Sequence, residues 1–353
     1  MERQKLIESL YRFAEIMVAL IAGFAISGVI MWLGGYDPIK AYRAMLGTSI
    51  LTTDPYNLAM TLSFSAPIMF TAITFAVGVR AGVFNIGAEG QMYVGALGAV
   101  LVAAMSLPGP LYLPLAILFG SLLGALWGAI AGVLKAYKGV NEVVSTIMLN
   151  WIAFWVVEYT RVDLLPNPRD PSKTIEMPEP GRLPILLKGT ELTASIVLAV
   201  VVTLLSYYLL WHTVLGYEIR ATGMNPRAAR YGGINPERAV LWSFIIGGIA
   251  AGLAGVCEIA GRPPHYAITT GLSNLFGYGF DGITVSLIGA NHPLGIIPAA
   301  IFVGGLTAGA RGMQIVAGVP LEMVKAVQGV IIIALAVPGL LRLLKTRLTR
   351  GGG

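Results

Sequence analysis

Ten apolar stretches, most of them long enough to cross a membrane, decide what this chain can fold into. A helical crossing of the hydrocarbon core takes about 20 predominantly apolar residues. Such stretches fall at 13–33, 57–79, 83–107, 111–134, 142–160, 192–211, 239–258, 280–290, 293–310 and 322–341. The eighth is too short for a full crossing. It reads as a half-helix or as a span that begins deeper in 259–279. Only 12% of the 353 residues are charged, where soluble domains carry about 25%. The fold class expected is therefore an all-α polytopic membrane protein, with 1–353 forming a single transmembrane domain. The basic N-terminus MERQKLIESLYR is followed by no small-x-small cleavage site, so the first stretch reads as a retained span and not as a signal peptide.

Charge sets the orientation. With the N-terminus inside, the inner segments hold fourteen Lys and Arg and the outer segments nine. The excess places both termini in the cytoplasm and predicts a multi-pass protein of the cytoplasmic membrane. Residues 161–191, with six prolines, read as an ordered or semi-extended external loop, and 212–238 as the longest inner loop. The net charge of +6 belongs mostly to inner loops and calls for no nucleic acid. The single cysteine, Cys257, excludes an intramolecular disulfide and argues against a cysteine metal site. The chain has neither an H-E-x-x-H nor a G-x-x-x-x-G-K-[ST] motif, so no metal, cofactor or nucleotide-hydrolysing loop is expected on it.

Ten spans divide into five and five, and an odd number per half inverts the second half. Inverted repeats place their pathway at interrupted helices in matching positions. The third stretch opens with Phe84-Asn85-Ile86-Gly87-Ala88-Glu89-Gly90, and the eighth, its counterpart, with Gly279-Phe280-Asp281-Gly282. Around the first of these, Arg80 to Gly98 combines Asn85, Glu89 and Gln91 with five glycines. A carboxylate in a span normally faces a cavity or a partner group, and glycines let a helix break or another approach. Two readings follow: a polar pathway lined here, or small residues that pack helices with Glu89 near a helix end. The pathway candidates are Phe84, Asn85, Gly87, Glu89, Gly90, Gln91, Asn150, Phe280 and Asp281. Asn150 can equally bond across helices. Asn141-Glu142 reads as a helix start. Glu15, Glu158, Glu258 and Glu322, near span ends, read as structural acids that reach headgroups or water.

The inner loop carries its own capping signals. Asn225-Pro226 is an N-cap followed by proline at the first helical position. Arg227 to Tyr231 continue the turn, and Gly232-Gly233 stop it. Arg227 and Arg230 share one face of this helix. A loop that serves only to be positive needs no such capping, so the expectation is a short basic docking helix.

Four segments carry a resemblance in order along the chain: GVFNIGAEGQM (82–92), NEVVSTIMLNWIA (141–153), GYEIRATGMNPRAARYGGI (216–234) and GFDGITVSLIGANHPLG (279–295). They resemble the membrane permease subunits of ABC importers, in the group for nucleosides and simple sugars related to ribose and branched-chain amino acid permeases. The first and fourth favour the nucleoside branch. The resemblance implies import driven by a separate cytoplasmic ATPase, which holds ATP and Mg, with an extracellular solute-binding protein delivering substrate. It also implies a pair of related but different permease chains. The loop matches the ATPase-contacting segment, which carries that role onto Gly216, Arg220, Gly223, Asn225, Pro226, Ala228, Ala229, Arg230 and Gly232, with Arg227 on the same helix face. A ribose or simple-sugar permease is an alternative. From other classes, an ion-coupled secondary transporter would use Glu89 or Asp281 as the coupling group, and a membrane-embedded enzyme would need a cluster of metal-spaced ligands that the sequence lacks.

Overall fold

The computed structural model describes residues 2–49 and 52–334, with side chains from residue 17 onward. The end of the tenth stretch, with Arg342, Lys345, Arg347 and Arg350, lies outside the described residues, as does the side chain of Glu15. The chain divides into two compact units, Met1–Leu58 with Gly305–Gly353, and Ala59–Gly304.

The smaller unit holds α1 (Glu2–Leu33), α2 (Pro38–Gly47) and helical residues 321–334. α2 had no counterpart in the apolar pattern, being ten residues long and of low hydropathy. Its start is local chemistry: Asp37 accepts from the amides of Ile39 and Lys40 at 2.9 and 3.1 Å, and Pro38 supplies the preset φ. Tyr42 then ties α2 to α1 through hydrogen bonds to the Phe24 carbonyl (2.7 Å) and Ser27 (2.8 Å).

The larger unit runs α3 (Pro55–Arg80, whose first turn belongs to the smaller unit), α4 (Ala88–Ala103), α5 (Tyr112–Lys138), α6 (Glu142–Tyr159), α7 (Ser195–His212), α8 (Val214–Met224), α9 (Pro226–Tyr231), α10 (Pro236–Gly261) and α11 (Tyr278–Ile288). α12 (Pro293–Ala317) begins in this unit and ends in the smaller one. Its centre is the packing of α4, α5 and α10, and glycine makes it. Gly120 and Gly124 of α5 meet Gly248 and Gly252 of α10 backbone to backbone, and Gly95 of α4 closes the third side against Gly252. A Cβ on Gly124 would stand 2.8 Å from the Cα of Gly252. Small residues four apart form the contact stripe that helices in lipid use, where no hydrophobic force drives them together. α3 joins the core by two threonines: Thr74 bonds the Gly247 carbonyl of α10, and Thr71 the Tyr278 carbonyl of α11, both at 2.7 Å.

The segment between α6 and α7 is ordered. A π-turn (Thr160–Leu164) leads into the antiparallel pair β1 (Pro166–Asn167) and β2 (Asp170–Thr174). The chain is then sewn to the stretch around the end of α10 by three main-chain bonds: Thr174 to Ile268, Met177 to Tyr266 and Leu183 to Ala260.

Among the described residues six helices are long and apolar enough to cross a membrane: Pro55–Arg80, Gly109–Lys138, Glu142–Leu164, Ser195–His212, Pro236–Gly261 and Pro293–Ala317. Met17–Leu33 and Ala88–Ala103 are shorter apolar helices. The third stretch is thus trimmed to α4, sixteen residues, because 81–87 are not helical, and the eighth becomes α11, eleven residues.

One expectation is corrected here. Glu258 does not reach headgroups or water but pairs with Arg262. They are 3% and 6% exposed, and they face each other in a two-pronged pair, Nη2–Oε1 at 2.7 Å and Nε–Oε2 at 3.0 Å. Arg262 also donates to Ser63 Oγ (2.8 Å), the Ser63 carbonyl (3.3 Å) and the Tyr278 hydroxyl (3.2 Å), and approaches Glu191 at 3.4 Å. A guanidinium buried in this way needs its fork of donors filled, and α3, the end of α10 and the start of α11 supply the acceptors. Glu158 is likewise engaged, in a bidentate pair with Arg161.

Candidate functional site

Two places collect the residues singled out in the sequence. The first is the turn between α3 and α4. α3 cannot continue past Arg80 because Gly82 takes φ +78°, a conformation glycine alone adopts without cost. Residues 81–87 then fold back, held by Asn85 from within the turn and by Asn150 from α6. Asn85 Oδ1 accepts from the Gly87 amide (3.0 Å) and from Gln91 Nε2 (3.2 Å). Asn150, reaching over from α6, accepts from the Gly90 amide (2.8 Å) and donates to the Ile86 carbonyl (3.0 Å). It can do so because Gly90 has no side chain: a Cβ there would stand 2.8 Å from the Asn150 Cα.

Glu89 sits in the first turn of α4, 2% exposed. Its Oε1 accepts from the Tyr93 hydroxyl (2.6 Å) and the Gly277 amide (2.5 Å), and its Oε2 from the Gly279 amide (2.5 Å). The last two are free amides at the start of α11, where the helix dipole favours a carboxylate. Glu89 therefore clasps the start of one short helix to the start of another. Gly279 is required for the approach, since its Cβ would lie 2.5 Å from the Glu89 amide nitrogen.

Seven of the predicted residues thus come together: Asn85, Gly87, Glu89, Gly90, Gln91 and Asn150, with Asp281 in the first turn of α11 but not among the partners of Glu89. The other two, Phe84 and Phe280, stand 53% and 50% exposed, Phe84 edge-on to Phe75 at 5.7 Å. Asn85 Nδ2 and Gln91 Oε1 are buried atoms of this cluster left without a hydrogen bond. Asn141 caps α6 as its sequence implies, and Glu142 pairs with Lys135 at 2.7 Å. Sequence reasoning missed Tyr93 and Gly277, and it named Gly279 only as the opening of the eighth stretch, not as a partner of Glu89. The tyrosine was findable, lying one helical turn after Glu89. The two glycines are 188 and 190 residues away, and the only signal was the pairing of the third and eighth stretches, which takes in Gly279 but not Gly277.

The second place is the segment 212–238. Asn225 caps α9, accepting from the amides of Arg227 (3.0 Å) and Ala228 (3.1 Å), and Gly232 ends it. Arg227 and Ala228 are exposed and Ala229 is buried. Arg230 is tied back to Glu237 at the start of α10. The glycines have packing roles: Gly216 lies on the backbone of Leu209 and Leu210, and Gly223 on the Arg80 carbonyl. Arg220 does not join Arg227 and Arg230 on the α9 surface; it lies over Trp211, 5.5 Å from the ring centre, with its Nε enclosed. Met224 and Tyr231, 83% and 96% exposed, flank α9.

Comparison with known proteins bears on both places. Residues 57–336 match the family described as branched-chain amino acid transport system / permease component. The chain is 33% identical over 340 residues to the guanosine ABC transporter permease protein NupP of Bacillus subtilis, covering 95% of this chain and 96% of that one. It is 31% identical to the nucleoside ABC transporter permease protein NupB of Lactococcus lactis, over 91% and 90% of the two chains. To the glucose ABC transporter permease protein TsgB13 of Haloferax volcanii it is 29% identical, over 90% and 86%. The matched span takes in the clasp between α4 and α11 and the capped helix α9 alike. With its apolar helices, this places the chain in the branched-chain amino acid transport system permease component family, as a multi-pass integral protein of the cell membrane.

Proposed function

We propose that this chain is the membrane permease subunit of an ABC importer for nucleosides. The observation that carries the proposal is the end-to-end similarity to the guanosine permease NupP. The chain translocates solute and is not itself an enzyme; ATP and Mg are held by a separate cytoplasmic ATPase, and an extracellular solute-binding protein delivers substrate. A second, related permease chain completes the pathway. Bacillus subtilis has two guanosine permease chains, NupP and NupQ, and this chain is similar to both.

Ten spans in an inverted five-plus-five arrangement, with both termini in the cytoplasm, complete the proposal. The juncture of α4 and α11 supports it: both are short, both follow irregular chain, and their starts meet at Glu89. In this arrangement Phe84 and Phe280 offer apolar faces to a nucleobase, while Glu89 holds the two helix starts between them. Residues 161–191 lie outside, and 212–238 couple to the ATPase inside. The glucose relative supports a sugar permease as the second reading. Reconstituting the chain with its ATPase, its binding protein and the second permease decides between them. Guanosine uptake that requires ATP is the expected result. Uptake of glucose but not guanosine would move the assignment to sugars, and uptake driven by an ion gradient without ATP would remove it from this class.

The geometry of α9 separates two ways to test coupling. The Arg227 side chain is exposed and makes no hydrogen bond or ion pair among the described residues, whereas Arg230 holds α9 against Glu237. Arg227→Glu alters only the outward charge. It should lower substrate-stimulated ATP hydrolysis by on the order of tenfold through lost charge complementarity, with permease insertion unchanged. Full stimulated hydrolysis in that variant would mean that this face is not the docking surface. Arg230→Glu sets two acids against each other and should also loosen α9, read as faster proteolysis within 225–235.

A further inference from the structure

A cavity of about 250 Å³ lies beside the coupling segment, lined by Val79, Arg80, Trp211, Arg220, Gly223 and Met224 and by residues 290–291. That is room for roughly eight waters at ~30 Å³ each. Two guanidinium groups share it. Arg80 donates to the carbonyls of Asn291 (3.0 Å) and Ala290 (3.2 Å), both residues being held at positive φ, 52° and 56°. Those bonds use two of its five donors. Arg220 has its Nε buried without a hydrogen-bond partner. Among the described residues neither arginine has a carboxylate within ion-pair distance. Every other positive charge drawn into this unit's interior is matched: Arg262 by Glu258 and Arg161 by Glu158.

Between them lies Trp211, its ring 5.2 Å from the Arg80 guanidinium and 5.5 Å from that of Arg220. Around it gather Tyr207, stacked on Trp211 at 5.5 Å, His292 at 4.5 Å and, through His212, Tyr208. Arg80 is the last residue of α3, and Trp211 is in the last turn of α7. Trp and Tyr at helix ends mark the depth of the lipid headgroups. Basic pockets between spanning helices at that depth on the cytoplasmic side hold anionic headgroups.

We propose that this cavity is a site for a phosphate-bearing anion, filled in the membrane by the headgroup of an acidic phospholipid. The two guanidinium forks face the phosphate oxygens, Trp211 packs against the glycerol end, and Met224 meets the acyl chains. The inference rests on the proposed orientation, with 212–238 inside. Its consequence is regulatory: the headgroup would brace Gly223 and Met224, the residues just before the cap of α9.

The test uses the full-length chain stripped of lipid in neutral detergent. Phosphatidylglycerol, phosphatidylcholine or inorganic phosphate is added, and bound ligand is counted by native mass spectrometry. Phosphatidylglycerol should be retained over phosphatidylcholine, and Arg220→Gln should weaken its retention about fivefold, the contribution of one arginine near a headgroup. Arg220→Lys, which keeps the charge, should restore most of it. Retention of inorganic phosphate with equal sensitivity to Arg220→Gln would uphold the site and make free phosphate its ligand. Equal retention of the two lipids, with no response to phosphate, would overturn the proposal. So would an Arg220→Gln variant that binds phosphatidylglycerol normally yet loses stimulated ATP hydrolysis in the full complex, since the anion would then belong to the partner. None of these readouts needs transport, so failure here leaves the nucleoside assignment standing, and failure of guanosine uptake leaves this site standing.

Discussion

Arg262→Ala should destabilise the larger unit by about 3–5 kcal/mol, the cost of breaking a buried ion pair by removing one partner. The size follows from what is left behind. Glu258, 3% exposed, would lose its counter-charge and both hydrogen bonds of the pair, and the Ser63 carbonyl and the Tyr278 hydroxyl would lose a donor each. Arg262→Lys should recover only part of the loss. An ammonium is a point charge and cannot fill the bidentate contact to Glu258 while also reaching Ser63 and Tyr278. The double variant Glu258→Ala with Arg262→Ala should cost less than the two single changes added together, because no unpaired charge remains. Thermal unfolding of the purified chain in detergent measures all four. A single Arg262→Ala loss below about 1 kcal/mol would mean that the pair is solvated in the membrane-bound protein.

The second large effect is at Glu89, where chemistry separates anchoring from transport. Glu89→Ala removes the acceptor of three hydrogen bonds and strands the amides of Gly277 and Gly279 in a buried place. Each stranded donor costs about 1–3 kcal/mol, so the start of α11 should come loose and folded protein should fall sharply. Glu89→Gln keeps the shape. Its single carbonyl oxygen can accept from one of the amides, but its NH₂ faces the other, donor against donor. The loss should be intermediate, with the chain still assembled. Transport in the assembled Glu89→Gln importer then tells what the carboxylate does besides. Changed rate or solute preference is expected if the α4–α11 junction borders the route. Parental transport by both variants would remove Glu89 from the pathway and from the clasp together.

The helical pattern was legible because each helix must be apolar all round to sit among lipid and other helices, and such runs stand out in sequence. Caps were legible for a different reason: Asn141 and Asn225 act within three residues of themselves, so neighbouring sequence contains the whole interaction. The short helix α9 followed from that alone. What stayed hidden is set by distance along the chain. Glu89 was visible as an acid in an apolar run, yet its partners are separated from it by 188 and 190 positions. Glu258 and Arg262 were legible in principle, being one helical turn apart. Glu258 was misread because the end of an apolar run was taken for the edge of the membrane. α2 escaped notice because it is not an apolar run, and the capping signal that starts it, Asp37 followed by Pro38, was read only at other positions.

The glycine contacts of α4, α5 and α10 bear on where motion can occur. Side chains at an ordinary helix contact can change rotamer and let two helices slide. Here Gly95, Gly120, Gly124, Gly248 and Gly252 put main chain on main chain, with no torsion available to take up a displacement. A slide of one residue, about 1.5 Å along the axis, would drive neighbouring Cβ atoms into the opposing backbone. The three helices must therefore travel as one block, like a keystone. Any compliance that transport demands has to come from outside this block.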